Sequence, residues 1–577
     1  MILSQPATNS PQIAKIRALP RPERRIADQL VTSLIEQGID RVYGIPGGTI
    51  CPIFDSLADT DIDVTICQHE SMAVYLAYGY ARATGRPGCV LVTSGPGILN
   101  AFTGIAAAHQ DEVPLLVMAG DVKTQSAGRG ALQDGGAGGL DIMSMMRPIT
   151  KYSEALRQPE RAGIIARQAL NSCMQHPRGP VLLQLPVDVS MRQIPMVSYE
   201  QHLPGPMRAD DEVCEKIADM LSRAQRPAIF LGLGARTTGA GPAVRKLAER
   251  GRIPVFTDVE AKGEFPESHS LSLGMFGVGG GPSAEAYLET GVDLIIFVGT
   301  RLDDTTTAGY SDLLGKAQTV VQLDYDPRRL CRSYRADLAV CCEPAGTLER
   351  VCELMHTPDI HTVLMRDRAV TDARAADYSF EELRMGETGP FDPSAVVQEL
   401  QRAFGPNTVF TSDIGNHLLF AARNLVMDTP RRFHVSNGLG GMGSGIGTAM
   451  GLASAYRGTR TVVGICGDGG LLMVGNELAT CAKYNIPVVL AVFNDGQLGM
   501  VNHGFRKQYE RPLDCSLPRT DLAAYARSLG VRACRIQRPE DISAAVALID
   551  GPLVLDIPID PEAAALNPRE TTLAFTS

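Results

Sequence analysis

Two glycine-flanked acidic turns, Gly467-Asp468-Gly469 and Asn494-Asp495-Gly496, constrain the fold of this chain more than any other feature. Each closes an apolar run, 461–466 and 487–493, and a helix-forming segment at 476–483 lies between them. Asp468 and Asp495 are 27 positions apart (495 − 468), room for one crossover helix. In a right-handed βαβ unit both turns then reach the carboxyl edge of one parallel sheet. Two oxygen ligands at neighbouring strand ends, beside exposed backbone amides, suit a hard cation carrying a diphosphate. A lone Gly-Asp-Gly says little, because α/β proteins commonly place glycines and acids after strands. The paired turns, two apolar strands and a helix of fitting length favour the metal–diphosphate reading.

A second signal lies far upstream. Residues 41–50 read as a strand running into Pro46-Gly47-Gly48. Residues 64–70 read as a strand ending at Glu70, followed by a helix over 71–82. Residues 89–97 give another strand with a glycine turn. Taken alone, Glu70 would be a helix N-terminal acid favoured by the dipole.

With 577 residues the chain is too long for one core and suits about three domains of ordinary size. Strands and helices alternate in three blocks, each predicting a doubly wound parallel α/β sheet. The expected division is an N-terminal tail at 1–21, a first domain at 22–192 and a central domain at 205–365. A charged linker at 366–388, a third domain at 389–565 and a C-terminal tail at 566–577 complete it. The net charge of −10 and the absence of a basic run argue against nucleic acid. No apolar run reaches the ~20 residues that span a bilayer, and the first 20 residues lack a signal-peptide core. Thirteen scattered cysteines, several inside apolar runs, fit buried thiols in a reducing cytoplasm.

The Gly-Asp-Gly turn followed by an Asn-Asp pair resembles the thiamine diphosphate (ThDP) motif. With both halves in view, the chain from about 25 to 565 resembles the acetohydroxyacid (acetolactate) synthase group of ThDP enzymes. The matching residues include Tyr43-Gly44-Ile45-Pro46-Gly47-Gly48, His69-Glu70, Thr93-Ser94-Gly95-Pro96-Gly97, Gly415-Asn416-His417, Gly438-Leu439-Gly440-Gly441-Met442-Gly443 and Leu498-Gly499-Met500-Val501. The resemblance implies a pyrimidine-binding first domain, a nucleotide-type central domain and a diphosphate-binding third domain. It implies Mg2+ on Asp468, the Asp495 side chain and the Gln497 carbonyl. Cofactor contacts would come from Pro46, Gly47, Gly415, Asn416, His417, Gly441, Gly467, Gly469, Gly470, Asn494, Leu498, Gly499 and Met500, with Met442 wedged beneath. Glu70 would hydrogen-bond N1′ of the aminopyrimidine, and Gly48 and Gln133 would line the reacting side. Glu70 and Asp468 would come from different subunits of a homodimer or homotetramer. A small regulatory subunit often accompanies the family, but no feature here demands one.

The implied reaction is decarboxylation of a 2-keto acid, pyruvate first, and addition of the remaining unit to a second carbonyl acceptor. Alternatives on the same scaffold are a simple decarboxylase, a sulfoacetaldehyde acetyltransferase-like enzyme or a carboligase of secondary metabolism. A non-enzymatic paralogue is disfavoured by intact Glu70, Asp468 and Asp495. In the central block, Gly274, Met275, Arg301, Asp303 and Asp324 match flavin-bearing members. They imply a structural FAD, against an empty or adenine-nucleotide-binding relic. Three departures stand out. Leu132 replaces a family aromatic, Gly504 replaces a tryptophan on the acceptor side, and residues 127–139 are glycine-rich, implying a mobile loop. The gap at Gly504 would admit a bulkier acceptor or be filled by Phe505.

Overall fold

The computed structural model describes residues 24–195, 207–376, 382–509, 513–547 and 549–563. The tails expected at 1–21 and 566–577 lie outside them. The molecule is built on three six-stranded sheets, each wholly parallel, with helices between successive strands. The first runs Asp63–Ile66, Arg41–Gly44, Gly88–Val92, Leu115–Asp121, Pro180–Pro186, Tyr152–Ala155. Numbered within the block, that order is 2-1-3-4-6-5. The third sheet repeats it with Phe433–Val435, Val409–Ser412, Val462–Gly467, Val488–Asn494, Leu553–Pro558 and Arg532–Arg535. The central sheet is ordered 3-2-1-4-5-6 and starts from Pro227–Leu231. Its direction reverses between Pro227–Leu231 and Leu294–Val298, the position where doubly wound sheets open a ligand crevice.

The first and third blocks share one core. Helix Glu70–Thr84 lies on helix Ser444–Tyr456, backbone against backbone. A Cβ on Gly79 would stand 2.2 Å from the Thr448 carbonyl oxygen, and one on Gly451 2.1 Å from that of Leu76. Glycine is required at this crossing because no side chain fits between the helices. The Tyr43 and Ser454 hydroxyls bond at 2.5 Å across the same seam. The central block keeps a separate core built on strands such as Leu294–Val298 and Thr319–Asp324.

Three expectations on local structure change. The segment expected as a linker from 366 begins inside helix Ile360–Arg374. There the buried Arg366 guanidinium donates to the Leu221, Ala224 and Gly251 carbonyls. One buried arginine among solvated charges leaves no apolar period to read. Glu70 is the first residue of a helix rather than the last of a strand, because His69 caps it by accepting from Ser71 N–H at 3.2 Å. The helix expected at 476–483 is split. A first helix, Asp468–Val474, starts on the acidic turn itself, a 3-10 turn follows at Gly475–Glu477, and a second helix spans Leu478–Tyr484. Gly475 passes under Tyr525, where a Cβ would sit 2.7 Å from the ring.

Candidate active site

The two acidic turns of the third block meet as their spacing requires. Strands Val462–Gly467 and Val488–Asn494 are paired neighbours, with Gly467 opposite Phe493. Asp468 joins the turns: one carboxylate oxygen accepts from Gly469 N–H at 2.9 Å and the other from Gly496 N–H at 2.9 Å. Asp495 faces the same cavity, of about 240 Å³. Burial first, then the Asp495 carboxylate, push Asp468 up to about 7, and burial raises Asp495 too. Two buried carboxylates that repel each other are stabilised by a cation between them. Among the described residues no group of three or more His, Cys, Asp or Glu side chains converges as a metal cage. The donor set therefore fits Mg2+, which takes one or two carboxylates and completes its sphere with phosphate oxygens and water.

The rest of the cavity is a cradle of backbone. Gly415, Asn416, His417, Gly467, Gly469, Gly470, Leu498, Gly499 and Met500 line it, with Met442 and Gln497. Helix Asn416–Asn424 begins there, directing free N–H groups inward. Side chains are excluded at several points. A Cβ on Gly499 would meet the Asp495 carboxylate at 2.5 Å, and one on Gly415 would meet the His417 ring at 2.6 Å. The buried His417 Nε2 has no hydrogen-bond partner, and burial pushes the ring down to about 4, so it stays neutral. An orphaned imidazole nitrogen beside a helix start and a carboxylate pair fits a magnesium-held diphosphate.

Two residues expected here are not brought in. Asn494 turns its amide away and donates to Asp556 at 2.8 Å, and Gly441 is outside the lining, where its neighbour Gly440 stands instead. Gln497 also points its side chain outward, donating to the Pro561 carbonyl at 2.9 Å. Asp413 was not anticipated. Wholly buried at the end of Val409–Ser412, it accepts from Gly443 N–H at 2.8 Å and Gly445 N–H at 3.0 Å, fixing the loop that carries Met442. Burial raises it to about 6. Its place after an apolar strand is the same signal that marked Asp468.

In the first block, Glu70 is 9% exposed and accepts from the Asn100 amide at 3.0 Å. A Cβ on Gly97 would lie 3.5 Å from its carboxylate, so Glu70 faces the glycine turn after Gly88–Val92. Pro46 and Gly48 are exposed, and Gly47 is pressed against Thr93, where a Cβ would come within 2.6 Å. Gln133, at φ 64°, holds its carbonyl to the Ser94 hydroxyl at 2.5 Å. Three backbone N–H groups of the glycine-rich loop are bonded to carboxylates. Asp134 accepts from Gly128 and Gly136 N–H, and Asp121 from Gly135 N–H. The 240 Å³ cavity is lined wholly by third-block residues, and Glu70 is not among them. Leu99, Leu132 and Met145 of the first block and Leu439, Met473 and Val501 of the third are exposed. Gly504 opens on empty space, and Phe505 does not fill it but packs at a tilt on Tyr509, ring centroids 4.7 Å apart.

In the central crevice, Arg301 pairs with Glu260 at 2.6 Å and Asp303 at 3.2 Å. Asp324 stands apart, 3.7 Å from Arg329, and Gly274 and Met275 line a separate cavity of about 30 Å³ facing the third block. The strand ends hold buried polar atoms without hydrogen-bond partners: Thr257 Oγ1, Asp258 Oδ2 and Asp324 Oδ2. Burial raises Asp258 and Asp324 each to about 7. One free carboxylate oxygen on each of Asp258 and Asp324 at a switch point fits the hydroxyls of a dinucleotide.

Profiles of the thiamine pyrophosphate enzymes match all three blocks: the N-terminal TPP binding domain at 24–144, the central domain at 214–351 and the C-terminal TPP binding domain at 413–557. The chain belongs to the acetolactate synthase large-subunit family of thiamine diphosphate enzymes. It is 32% identical over 556 residues to the probable acetolactate synthase large subunit of Methanocaldococcus jannaschii, covering 93% of this chain and 92% of that one. Against the large subunit of acetolactate synthase isozyme 3 of Escherichia coli the identity is 32% over 535 residues, 89% and 90% of the two chains. The Parasynechococcus marenigrum large subunit is 34% identical over 541 residues, 90% and 85%. The protein is thus a ThDP-dependent enzyme of the decarboxylating, carboligating kind. Among the described residues no helix is long and apolar enough to cross a membrane.

Proposed function

We propose that the protein decarboxylates pyruvate and joins the two-carbon remainder to a second 2-keto acid, as an acetolactate synthase does. The observation that carries this reading is the joined pair of acidic turns, Asp468 bonded to Gly496 N–H with Asp495 on the same cavity. When bound, ThDP supplies the nucleophilic carbon and the electron sink for loss of carbon dioxide and addition to the acceptor. The chain's residues do the rest. Asp468, Asp495 and the Gln497 carbonyl hold Mg2+, and the Gly415–His417 turn holds the diphosphate. Met442 would lie against the cofactor, and Glu70 would hold a proton at N1′ of the pyrimidine. Gly48 and Gln133 border the reacting face.

Glu70 reaches the reacting centre only if a second copy supplies it, because the cavity around Asp468 contains no first-block residue. The exposed apolar side chains flanking both halves are what that copy covers. We therefore assign 22–192 to pyrimidine binding, 389–565 to diphosphate binding, and a homodimer or homotetramer to the cytoplasmic enzyme. The relatives are called large subunits, so a regulatory subunit is a further expected partner. The central block, 205–365, holds a structural FAD on its orphaned strand-end acids, with no part in the chemistry.

A second acceptor is favoured by the open space at Gly504 and the exposed Leu132. Purified protein with ThDP, Mg2+ and pyruvate, with and without FAD, tests both readings through the product. Acetolactate supports the synthase. Acetaldehyde or acetyl phosphate overturns it in favour of a decarboxylase or an acetyltransferase. Pyruvate consumed only when another carbonyl is added places the specificity at Gly504.

A further inference from the structure

The three blocks meet at a pocket of about 50 Å³ whose side-chain charges do not balance. Arg82 and Arg178 come from the first block, Arg236 from the central one, and Arg431 and His434 from the third. The one carboxylate in the lining, Glu112, is already taken by Arg329 and the Tyr325 hydroxyl. Two of the cations are settled. Arg236 pairs with Glu264 at 3.0 Å, and Arg82 donates to the Asp111 carbonyl at 3.0 Å.

The other two are not. Arg178 has neither an ion pair nor a hydrogen bond among the described residues, and its Nε is buried. Arg431 donates only to the Arg236 carbonyl at 3.4 Å. Burial, then Arg431, push the Arg178 guanidinium below its ordinary range. Arg178 is half-buried and Arg431 exposed, and two unpaired guanidiniums that repel each other suit a shared anion. His434, 2% exposed, donates from Nε2 to the Arg431 carbonyl at 3.0 Å, which leaves Nδ1 as an acceptor, and that atom is buried without a partner.

We propose that this junction binds free hydrogen phosphate, held by Arg178 and Arg431 with its own O–H donated to His434 Nδ1, and that the ion ties the first and third blocks together beside the central one. The cavity is far below the roughly 300 Å³ at which pockets for nucleotide-sized ligands begin, so it takes an ion and not a cofactor. The Tyr325 hydroxyl, bonded to both Thr237 and Glu112, separates it from the central crevice. Guanidinium pairs are the side-chain chemistry that phosphate oxygens fit best.

The test uses the full-length enzyme saturated with ThDP and Mg2+, so that the diphosphate cradle is filled, in a buffer free of oxyanions. Inorganic phosphate is titrated against NaCl of equal ionic strength and the melting temperature is read. A ligand of the folded state raises it saturably. The expected result is a saturable rise with phosphate that chloride does not reproduce and that persists when FAD is added in excess. Arg178→Gln and Arg431→Gln should each move the phosphate midpoint at least tenfold higher. In chloride alone both variants should melt no lower than wild type, since each loses a repulsion. Equal shifts in phosphate and chloride, unchanged midpoints in both variants, variants that melt lower in chloride, or a shift abolished by FAD would overturn the proposal.

Discussion

The first and third blocks have the same strand order, yet their strand ends do opposite electrostatic jobs. In the third, Asp468 and Asp495 repel each other across one cavity while Asp413 is buried behind the loop that carries Met442, and burial raises all three. In the first, Glu70 sits on a helix start with one amide partner, and the buried Asp121 at a strand end is bonded to Gly135 N–H. Crowded buried carboxylates are costly unless something positive arrives, whereas a lone one needs only a hydrogen-bond partner. The same strand order thus presents a repelling carboxylate pair in one block and a singly bonded carboxylate in the other.

The comparison breaks first at its largest expected effect. Asp468→Asn should lower activity by more than about 100-fold and abolish magnesium-dependent ThDP binding, checked by calorimetry with and without Mg2+. Glu70→Gln should lower kcat by about 10²- to 10⁴-fold and leave ThDP affinity close to wild type. If both variants lost affinity alike, the two blocks would not divide the work as proposed.

His417 sharpens the third-block side through pH. Its folded pKa, about 4, lies below the ordinary 6.5. Its contribution to stability is therefore present above pH 6.5 and lost as pH falls toward 4, an effect of about 3 kcal/mol. His417→Gln should flatten that part of the acid-unfolding curve, measured by denaturant melts across pH. A smaller effect tests the seam between the blocks. Gly451→Ala should destabilise the fold by about 1–3 kcal/mol, because its Cβ would stand 2.1 Å from the Leu76 carbonyl oxygen. Gly48→Ala, where a Cβ meets nothing within 4 Å, should leave the melting temperature unchanged. Smallest of all, Gly504→Trp should shift the preference between carbonyl acceptors by about tenfold in competition assays, with pyruvate turnover retained.

Much of the site was legible from period and punctuation. Asp468 and Asp495 announced themselves by following apolar strands one crossover apart, and backbone geometry converts that spacing into a shared sheet edge. The direction of Asn494 is not legible in the sequence because an asparagine beside an acid looks alike whichever way its amide turns, and only Asp556, 62 positions on, decides it. Asp413 carried the right signal but lacked a glycine flank to draw the eye. The fastening of the glycine-rich loop was hidden because Asp121 and Asp134 act on backbone N–H groups, which leave no side-chain pattern.

By itself, the sequence determined three doubly wound α/β blocks and the two acidic turns, because these follow from local periodicity and from how far one helix can carry the chain. Only the tertiary structure decided that the first and third blocks share a core through Gly79 and Gly451, that Glu70 lies outside the cavity lined by Asp468 and Asp495, and that unpaired arginines from distant segments converge. Those facts depend on contacts between residues hundreds of positions apart, and close packing, not sequence spacing, fixes which of them meet.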